Sequence, residues 1–323
     1  MAGSRCMCLA ICTIGALLGS GCATGPYQYG RGWRNAQSAA CTPPANAASL
    51  EVAVGRPHKF VDGVGWIVGI PGKVLLWDRR VNNHDISATT TETVAEYLEQ
   101  NQLQDVCVRV NQYAPGDEWR RLCANREVGA GWRYTVGTLS VAGYTLFPGR
   151  VFGTDRYNPF TNSLYLYSDV PSLGMQAAAY AKDLHNRERP GTYAAVNELP
   201  IVALWHETIA TRDALAYLQT QGDAEAFREG ERILEPHYGS RVGGAFDFIV
   251  GFGPVFQVGG AIVGHVSGRM YPSAEPGLAT GEPDWIRNPA ETELVVPVSY
   301  DEAPEEASGV VHAVDASPAW WNE

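Results

Sequence analysis

Residues 155–219 carry the pattern that most restricts the fold of this 323-residue chain, because it contains a strand and two helices in a fixed order. Asn158-Pro159 is a turn signal, and the alternating apolar and polar residues of 163–168 predict a strand. A first helix is predicted over 171–187, before a Pro-Gly pair that stops it. Proline in the first helical position predicts a second helix over 200–219.

Helix and strand patterns are mixed without regular alternation in the rest of the chain, which predicts the α+β class. A capped helix is expected over 87–101, a strand over 106–113 and a short helix over 117–125. We interpret 132–148 as two strands joined near Gly143.

The composition favours a globular protein that does not bind nucleic acid. Apolar residues make up 45% of the chain and nine are Trp, which is enough for a buried core. The net charge of -11 argues against a nucleic-acid partner, which needs a basic surface. Eleven acidic residues and one basic residue follow residue 271, so this tail contributes -10 and the preceding chain -1. We expect 272–323 to be a flexible, Pro-rich acidic tail.

The N-terminus is interpreted as an export signal. Arg5 precedes an apolar run over 7–18 that is too short to span a bilayer, and small residues then lead to Cys22. This arrangement resembles a bacterial lipoprotein signal peptide over 1–21, with Cys22 as the lipidated residue. Leu18 lies four residues before Cys22, one more than is usual, which leaves open an ordinary cleaved signal or an uncleaved anchor. We expect an exported, lipid-anchored protein of the cell envelope, in the inner or outer membrane.

Export also affects the interpretation of the other cysteines. Cys41, Cys107 and Cys123 lie beyond the leader, and an oxidising compartment permits a disulfide between Cys107 and Cys123. The alternative is that both are free thiols. The segment 22–55 is rich in Gly, Ala, Pro, Ser and Asn and is predicted to be a tether, so the folded domain is expected over 56–271.

The segments NPFTNSLYLYSD and HETIATRDAL resemble parts of the gluzincin zinc metallopeptidases, in particular the membrane-associated branch related to CAAX prenyl proteases. In that family an Asn-rich turn and an edge strand lead into a helix with His-Glu-x-x-His, and a Glu on a later helix completes the zinc site. Two His at i and i+4 share a helical face, and the Glu between them activates metal-bound water. The resemblance covers about sixty residues and implies a zincin-like core with Glu207 as the candidate later ligand.

The motif itself is degenerate in this chain. QAAAY places Gln176 and Tyr180 where the two His belong and Ala177 where the general base belongs. None of these side chains supplies the expected chemistry, so we expect no catalysis and no bound cofactor. Thr211 stands where gluzincins often have Asp, and Asp213 follows two residues later. An ordinary amphipathic core helix explains the Ala-rich segment equally well.

Other residues could rebuild a metal site. His206 and Asp213 share one face of the second helix, and His185 approaches that face if the two helices pack antiparallel. If these residues hold zinc, with or without Glu207, the chain is an active metallopeptidase with unusual ligands. This is the alternative to a disabled site.

Two apolar runs are candidates for contact with a membrane surface. The run over 60–77 is interrupted by Gly and Pro, and the run over 242–269 contains regularly spaced glycines that permit close helix packing. Buried core is the other interpretation of both runs.

These observations predict an envelope lipoprotein with a disabled peptidase-like domain that binds without catalysis. An extended peptide could add to the predicted edge strand over 164–167, since this contact needs no metal. Two alternatives to this predicted binding protein remain. They are an active metallopeptidase with unusual ligands and a purely structural envelope protein of unrelated fold.

Overall fold

The computed structural model describes residues 27–30, 50–250 and 255–270. The predicted signal peptide, Cys22, Cys41 and the acidic tail lie outside these residues. The described part is a mixed helical and sheet fold, compatible with the predicted α+β class. The strands are β1 (Val52–Val54), β2 (Cys107–Val110), β3 (Arg156–Asn158) and β4 (Ser163–Leu166).

The helices account for most of the described residues. In chain order they are α1 (Lys59–Val68), α2 (Ile70–Leu76), α3 (Ala88–Gln100), α4 (Pro115–Ala124), α5 (Ala130–Trp132), α6 (Thr138–Leu146), α7 (Gly149–Phe152), α8 (Pro171–His185), α9 (Pro190–Asn197), α10 (Pro200–Thr220), α11 (Ala224–Val250) and α12 (Val255–Met270). A π-helical turn, Arg133–Gly137, joins α5 to α6.

Local sequence signals explain several helix boundaries. The Ser87 side chain caps α3 by accepting a hydrogen bond from the Thr90 amide. Pro171 and Pro200 occupy the first turns of α8 and α10, where a missing backbone N–H costs nothing. The helices predicted over 87–101, 117–125, 171–187 and 200–219 are therefore confirmed within a few residues.

The sheet has the order β1-β2-β4-β3. β1, β2 and β4 are parallel, and β3 pairs antiparallel with β4. The strand predicted over 163–168 exists, but it lies between two other strands and its backbone edges are both occupied. The prediction that 164–167 form an edge strand open to a peptide is therefore wrong. The edge positions belong to β1 and β3.

Alternate residues of the central strands serve two packing layers. Val108, Leu164 and Leu166 belong to the main apolar core, together with residues of α3 and α8. A side chain on Gly174 of α8 would lie 2.6 Å from Val94 and 3.0 Å from Leu166, so glycine permits the close approach of this helix. This contact fixes α8, which carries the QAAAY segment, against the sheet.

The opposite layer contains a buried ion pair. Arg109 donates to Glu118 at 2.5 Å, and Glu118 also accepts from the hydroxyls of Ser163 and Tyr165. Each charge is thus paired and hydrogen-bonded, as burial requires. The buried pair of Arg109 and Glu118 therefore has a structural role.

The segment predicted as two strands over 132–148 is helical, so that prediction is wrong. Its buried residues are Arg133, Gly137, Val141 and Tyr144, spaced by four, four and three positions. This spacing matches one face of a helix, and packing along that face overrides local strand preference.

The folded part also begins earlier than residue 56. β1 lies within the predicted tether and pairs with β2. The Tyr27 hydroxyl, further upstream, lies 3.1 Å from both Asn101 Oδ1 and Asp213 Oδ2 and can donate its hydrogen to either. Two pieces of the predicted tether therefore belong to the packed structure.

The described residues of both apolar runs are mostly helical. The run over 60–77 forms α1 and α2, and the described residues of the run over 242–269 lie at the end of α11 and in α12, which pack closely together. A side chain on Gly239 would lie 2.2 Å from the carbonyl oxygen of Gly260, so the two backbones touch at paired glycines. Among the described residues, no helix combines the length and the apolar character needed to cross a bilayer.

The predicted disulfide is absent. Cys107 is buried in β2 and Cys123 is exposed at the end of α4, and both are free thiols. Burial raises the pKa of the Cys107 thiol to about 11, which keeps it protonated and unreactive.

Candidate functional site

The packing of α8 against α10 brings together three of the positions singled out in the sequence. The side-chain amide of Gln176 donates to Glu207 Oε2 at 3.1 Å and to Thr211 Oγ1 at 2.8 Å. We call these three residues the sealed centre. The amide orientation follows from its partners, because exchanging its O and N would place the amide oxygen against a carboxylate.

The Glu207 carboxylate is held ionised inside this centre. Burial raises its pKa, but the positive charge of Arg241 and the nearby His237 and His206 outweigh that effect and lower it. Arg241 Nε lies 3.5 Å from Glu207 Oε1, and His206 Nε2 lies 3.9 Å from the same oxygen. Both carboxylate oxygens therefore face positive or hydrogen-bonding groups that the protein itself supplies.

The other two motif positions carry packing contacts. Ala177 belongs to the main apolar core. The Tyr180 ring stacks on His206 with centroids 4.2 Å apart and meets the Tyr157 ring edge-on at 5.8 Å. Burial raises the pKa of the Tyr180 hydroxyl, so it stays protonated. These positions offer neither a metal ligand nor a proton acceptor, and a zinc ion does not fit the sealed centre as it stands.

The proposed set of His185, His206 and Asp213 is not assembled. Asp213 accepts from Lys182 at 2.7 Å and from the hydroxyls of Tyr27 and Tyr97. His206 lies against Tyr180, and His185 faces a different part of the chain. The prediction fails because each of the three side chains has its own local partners.

His185 forms a second polar cluster, at the C-terminal end of α8. Its Nε2 atom lies 2.9 Å from Glu127 Oε2 and 3.5 Å from Asp105 Oδ2. We call these three residues the open cluster. The two acids come from loops distant in sequence, and no spacing in the chain indicates that they meet His185. Only the tertiary fold identifies them.

An apolar cleft of about 520 Å³ is lined by residues of α6, α7, the start of β3 and the residue after α9. Glu198 is one of the lining residues. Burial raises the pKa of its carboxyl, and the charge of Arg156 partly offsets that effect. The cleft is lined by residues that include Val136, Leu139, Tyr144, Phe147, Phe152, Arg156, Tyr167 and Glu198.

No family model, curated protein or solved structure matches this chain. The resemblance to gluzincins thus stays a prediction from the two sequence segments, and the function is inferred from the residues described above.

Proposed function

We propose that this chain is a non-catalytic binding protein of the cell envelope, anchored by a lipid on Cys22. Its domain would be peptidase-like, with the metal centre replaced by hydrogen bonds. The observation that carries the proposal is the Gln176 side-chain amide, which donates to both Glu207 and Thr211.

The replacement is a chemical argument against peptidase activity at this centre. A zinc peptidase needs electron-pair donors at the ligand positions and a base beside the metal-bound water. Gln176 presents N–H donors to Glu207, and Ala177 supplies no base. The hydrogen bonds instead tie α8 to α10, which is a structural contribution.

The apolar cleft is the part of the domain suited to binding. Its volume lies in the range of small-molecule sites, and its walls are mostly apolar with few charged groups, as in typical binding pockets. Arg156 begins β3, the edge strand next to this cleft. We therefore place the ligand, an extended peptide or a segment of an envelope protein, in the cleft beside β3.

The metal test measures bound zinc in three proteins that all carry His185→Ala, so that the open cluster cannot contribute. They are the His185→Ala protein itself, the same protein with Glu207→Ala and the same protein with Gln176→His/Tyr180→His. We expect no bound zinc in the first two proteins. Zinc in the His185→Ala protein that disappears when Glu207→Ala is added would instead support an active metallopeptidase.

The double variant tests the geometry itself. Two His at i and i+4 on α8 with Glu207 opposite supply three zinc ligands, so we expect about one equivalent of zinc. No zinc in a folded double variant would contradict a peptidase-like origin of this centre.

The binding test is a peptide array probed with the wild type and with Leu139→Glu. Leu139 lines the cleft and is exposed, so the substitution should abolish binding without disturbing the core. Val258→Glu, on exposed α12, is the matched control and should bind as the wild type does. Absence of wild-type binding above background would count against the cleft as a peptide site.

A further inference from the structure

His185 is a buried imidazole whose orientation is fixed. Its side chain is only 3% exposed, and its Nδ1 atom lies 2.7 Å from the carbonyl oxygen of Ala181, one helical turn earlier. A carbonyl can only accept, so Nδ1 carries the hydrogen, and in the neutral ring the lone pair is on Nε2. A hydrogen bond to the second ring nitrogen is the usual support of a metal-ligating histidine.

Nε2 has no hydrogen-bond partner, although two carboxylate oxygens are close. Glu127 Oε2 is 2.9 Å away, within ion-pair distance, but does not form a hydrogen bond with this nitrogen. Asp105 Oδ2 is 3.5 Å away. A buried ring nitrogen without a partner is costly, so this arrangement calls for a ligand.

The three candidate ligand atoms lie within 4.8 Å of one another. Metal–ligand bonds of about 2.0–2.2 Å in tetrahedral or octahedral geometry place neighbouring ligand atoms roughly 3.0–3.5 Å apart. The two measured distances from Nε2, 2.9 and 3.5 Å, agree with that spacing. One ion can therefore contact all three atoms with small side-chain adjustments.

The neighbouring residues also suit an ion that enters from solvent. Asp105 and Glu127 are 41% and 43% exposed, while His185 is behind them. The Asn162 side-chain amide donates to Asp105 Oδ2 at 2.8 Å and to the Asp105 carbonyl at 3.1 Å, which orients this carboxylate.

We propose that Asp105, Glu127 and His185 form a divalent transition-metal site, of the zinc class, that fastens the end of α8 to two loops. The imidazole nitrogen disfavours Ca²⁺ and Mg²⁺, which prefer all-oxygen sites. Two carboxylates and a neutral imidazole give a net charge of -2, which a divalent ion neutralises. Water completes the coordination.

This site does not depend on the sealed centre. Its ligands come from the loop before β2, the loop after α4 and the last residue of α8, none of which is in the peptidase-like motif. Its role is structural, because an ion that binds only the folded state stabilises it.

The test titrates ZnCl₂ into the full chain after removal of metal with a chelator, by calorimetry and by thermal unfolding. We expect about one equivalent to bind, and the unfolding temperature to rise by about 5–10 °C at a zinc concentration about 100 times the Kd. MgCl₂ at the same concentration should produce no such shift.

His185→Ala and the double variant Asp105→Asn/Glu127→Gln should both lose zinc binding and the temperature shift. The double variant changes only exposed groups, so circular dichroism should show it folded even if His185→Ala is not. Glu92→Gln/Glu99→Gln removes the same charge from exposed positions on α3 and should keep the full shift.

Three results would overturn the inference: no zinc-dependent shift in the wild type, an undiminished shift in the folded Asp105→Asn/Glu127→Gln variant, or loss of zinc with Glu207→Ala. The first result would mean that the three side chains of the open cluster are held together without a metal. The third would place zinc in the sealed centre and would also contradict the proposed function, whereas the first would leave that proposal intact.

Discussion

The sealed centre and the open cluster lie on the same helix, and they treat their polar groups in opposite ways. Gln176 and His185 are nine positions apart on α8, about 13 Å along the helix axis. At Gln176, where the gluzincin motif would have a metal ligand, the side-chain amide donates to Glu207 and Thr211. At His185, where no motif predicts one, a buried nitrogen faces two carboxylates without a hydrogen bond.

The position of a motif in the sequence and the presence of a metal site in the fold are therefore separate questions. The resemblance to gluzincins implies a zinc site at the sealed centre, where Gln176 instead donates hydrogen bonds to Glu207 and Thr211. The open cluster has no recognisable spacing, yet its atoms are arranged as ligands. The proposed metal site rests on an unsatisfied His185 Nε2 close to two carboxylates and not on a sequence motif. The following substitutions test that proposal.

The largest expected effect comes from the contact that holds α8 between the two regions. Lys182 is buried and forms a 2.7 Å ion pair with Asp213 of α10. Lys182→Met leaves the Asp213 carboxylate without its counter-charge, so we expect the free energy of unfolding to fall by about 3–5 kcal/mol. Chemical denaturation measures this loss.

Lys59→Met, at an exposed position on α1, is the control and should change stability by less than about 0.5 kcal/mol. A loss below about 1 kcal/mol for Lys182→Met would show that α8 is not fastened to α10 by this pair.

The second-largest expected effect is a loss of folding stability at acid pH, caused by buried groups near the sealed centre. Burial, assisted by Arg241, lowers the pKa of His237 to about 4 from an ordinary value of 6.5. Between these values the unfolded chain binds a proton that the folded chain does not, so stability falls as the pH falls. We expect a loss of about 3 kcal/mol between pH 7 and pH 4.

Glu207 acts in the same direction. Its lowered pKa contributes stability that is present at neutral pH and is lost as the pH falls below the ordinary value of 4.5. Denaturation at pH 7, 5.5 and 4.5 should show a flatter profile for His237→Gln than for the wild type. Identical profiles would contradict the burial of an uncharged His237.

How much of this could be read from the sequence depends on the range of the interactions. The caps at Ser87, Pro171 and Pro200 are local, and they fixed three helix starts correctly. The place of β4 inside the sheet depends on pairing with two other strands, so its pattern could not exclude an edge position. Residues 132–148 were misassigned because their buried face becomes visible only after packing.

For the two polar clusters, too, the sequence predicts only what a motif or a local signal relates. Gln176, Glu207 and Thr211 could be grouped in advance because a known motif relates their positions on two helices. Asp105 and Glu127 could not be linked to His185, because they are separated from it by more than fifty residues and lie in loops without a motif. Their proximity is a property of the tertiary fold.

A third, smaller effect is expected when the hydrogen bonds of the sealed centre are removed and the loss is compared with that at an exposed amide. Gln176→Ala leaves the Glu207 carboxylate and the Thr211 hydroxyl without this donor, so we expect a loss of about 1–3 kcal/mol. Gln100→Ala removes an exposed amide that donates to Glu96 and should cost less than about 0.5 kcal/mol. Equal losses in the two variants would mean that the centre contributes no stability beyond a surface contact.

The smallest effect is expected in the open cluster without metal. Glu127 is exposed, so Glu127→Gln in the chelator-treated protein should change the free energy of unfolding by less than about 0.5 kcal/mol. In saturating zinc the wild type should become more stable and the variant should gain less. A large loss in the metal-free variant would show that the cluster is held by ion pairs alone.

The central claim is that the sealed centre at Gln176 binds no metal and that the open cluster at His185 binds zinc. Measuring bound zinc by plasma mass spectrometry tests this claim most directly. The full chain is equilibrated with zinc and desalted, as the wild type, Glu207→Ala and His185→Ala. We predict about one equivalent in the first two proteins and none in the third. Zinc that persists in His185→Ala but disappears in Glu207→Ala would contradict the assignment of both ends.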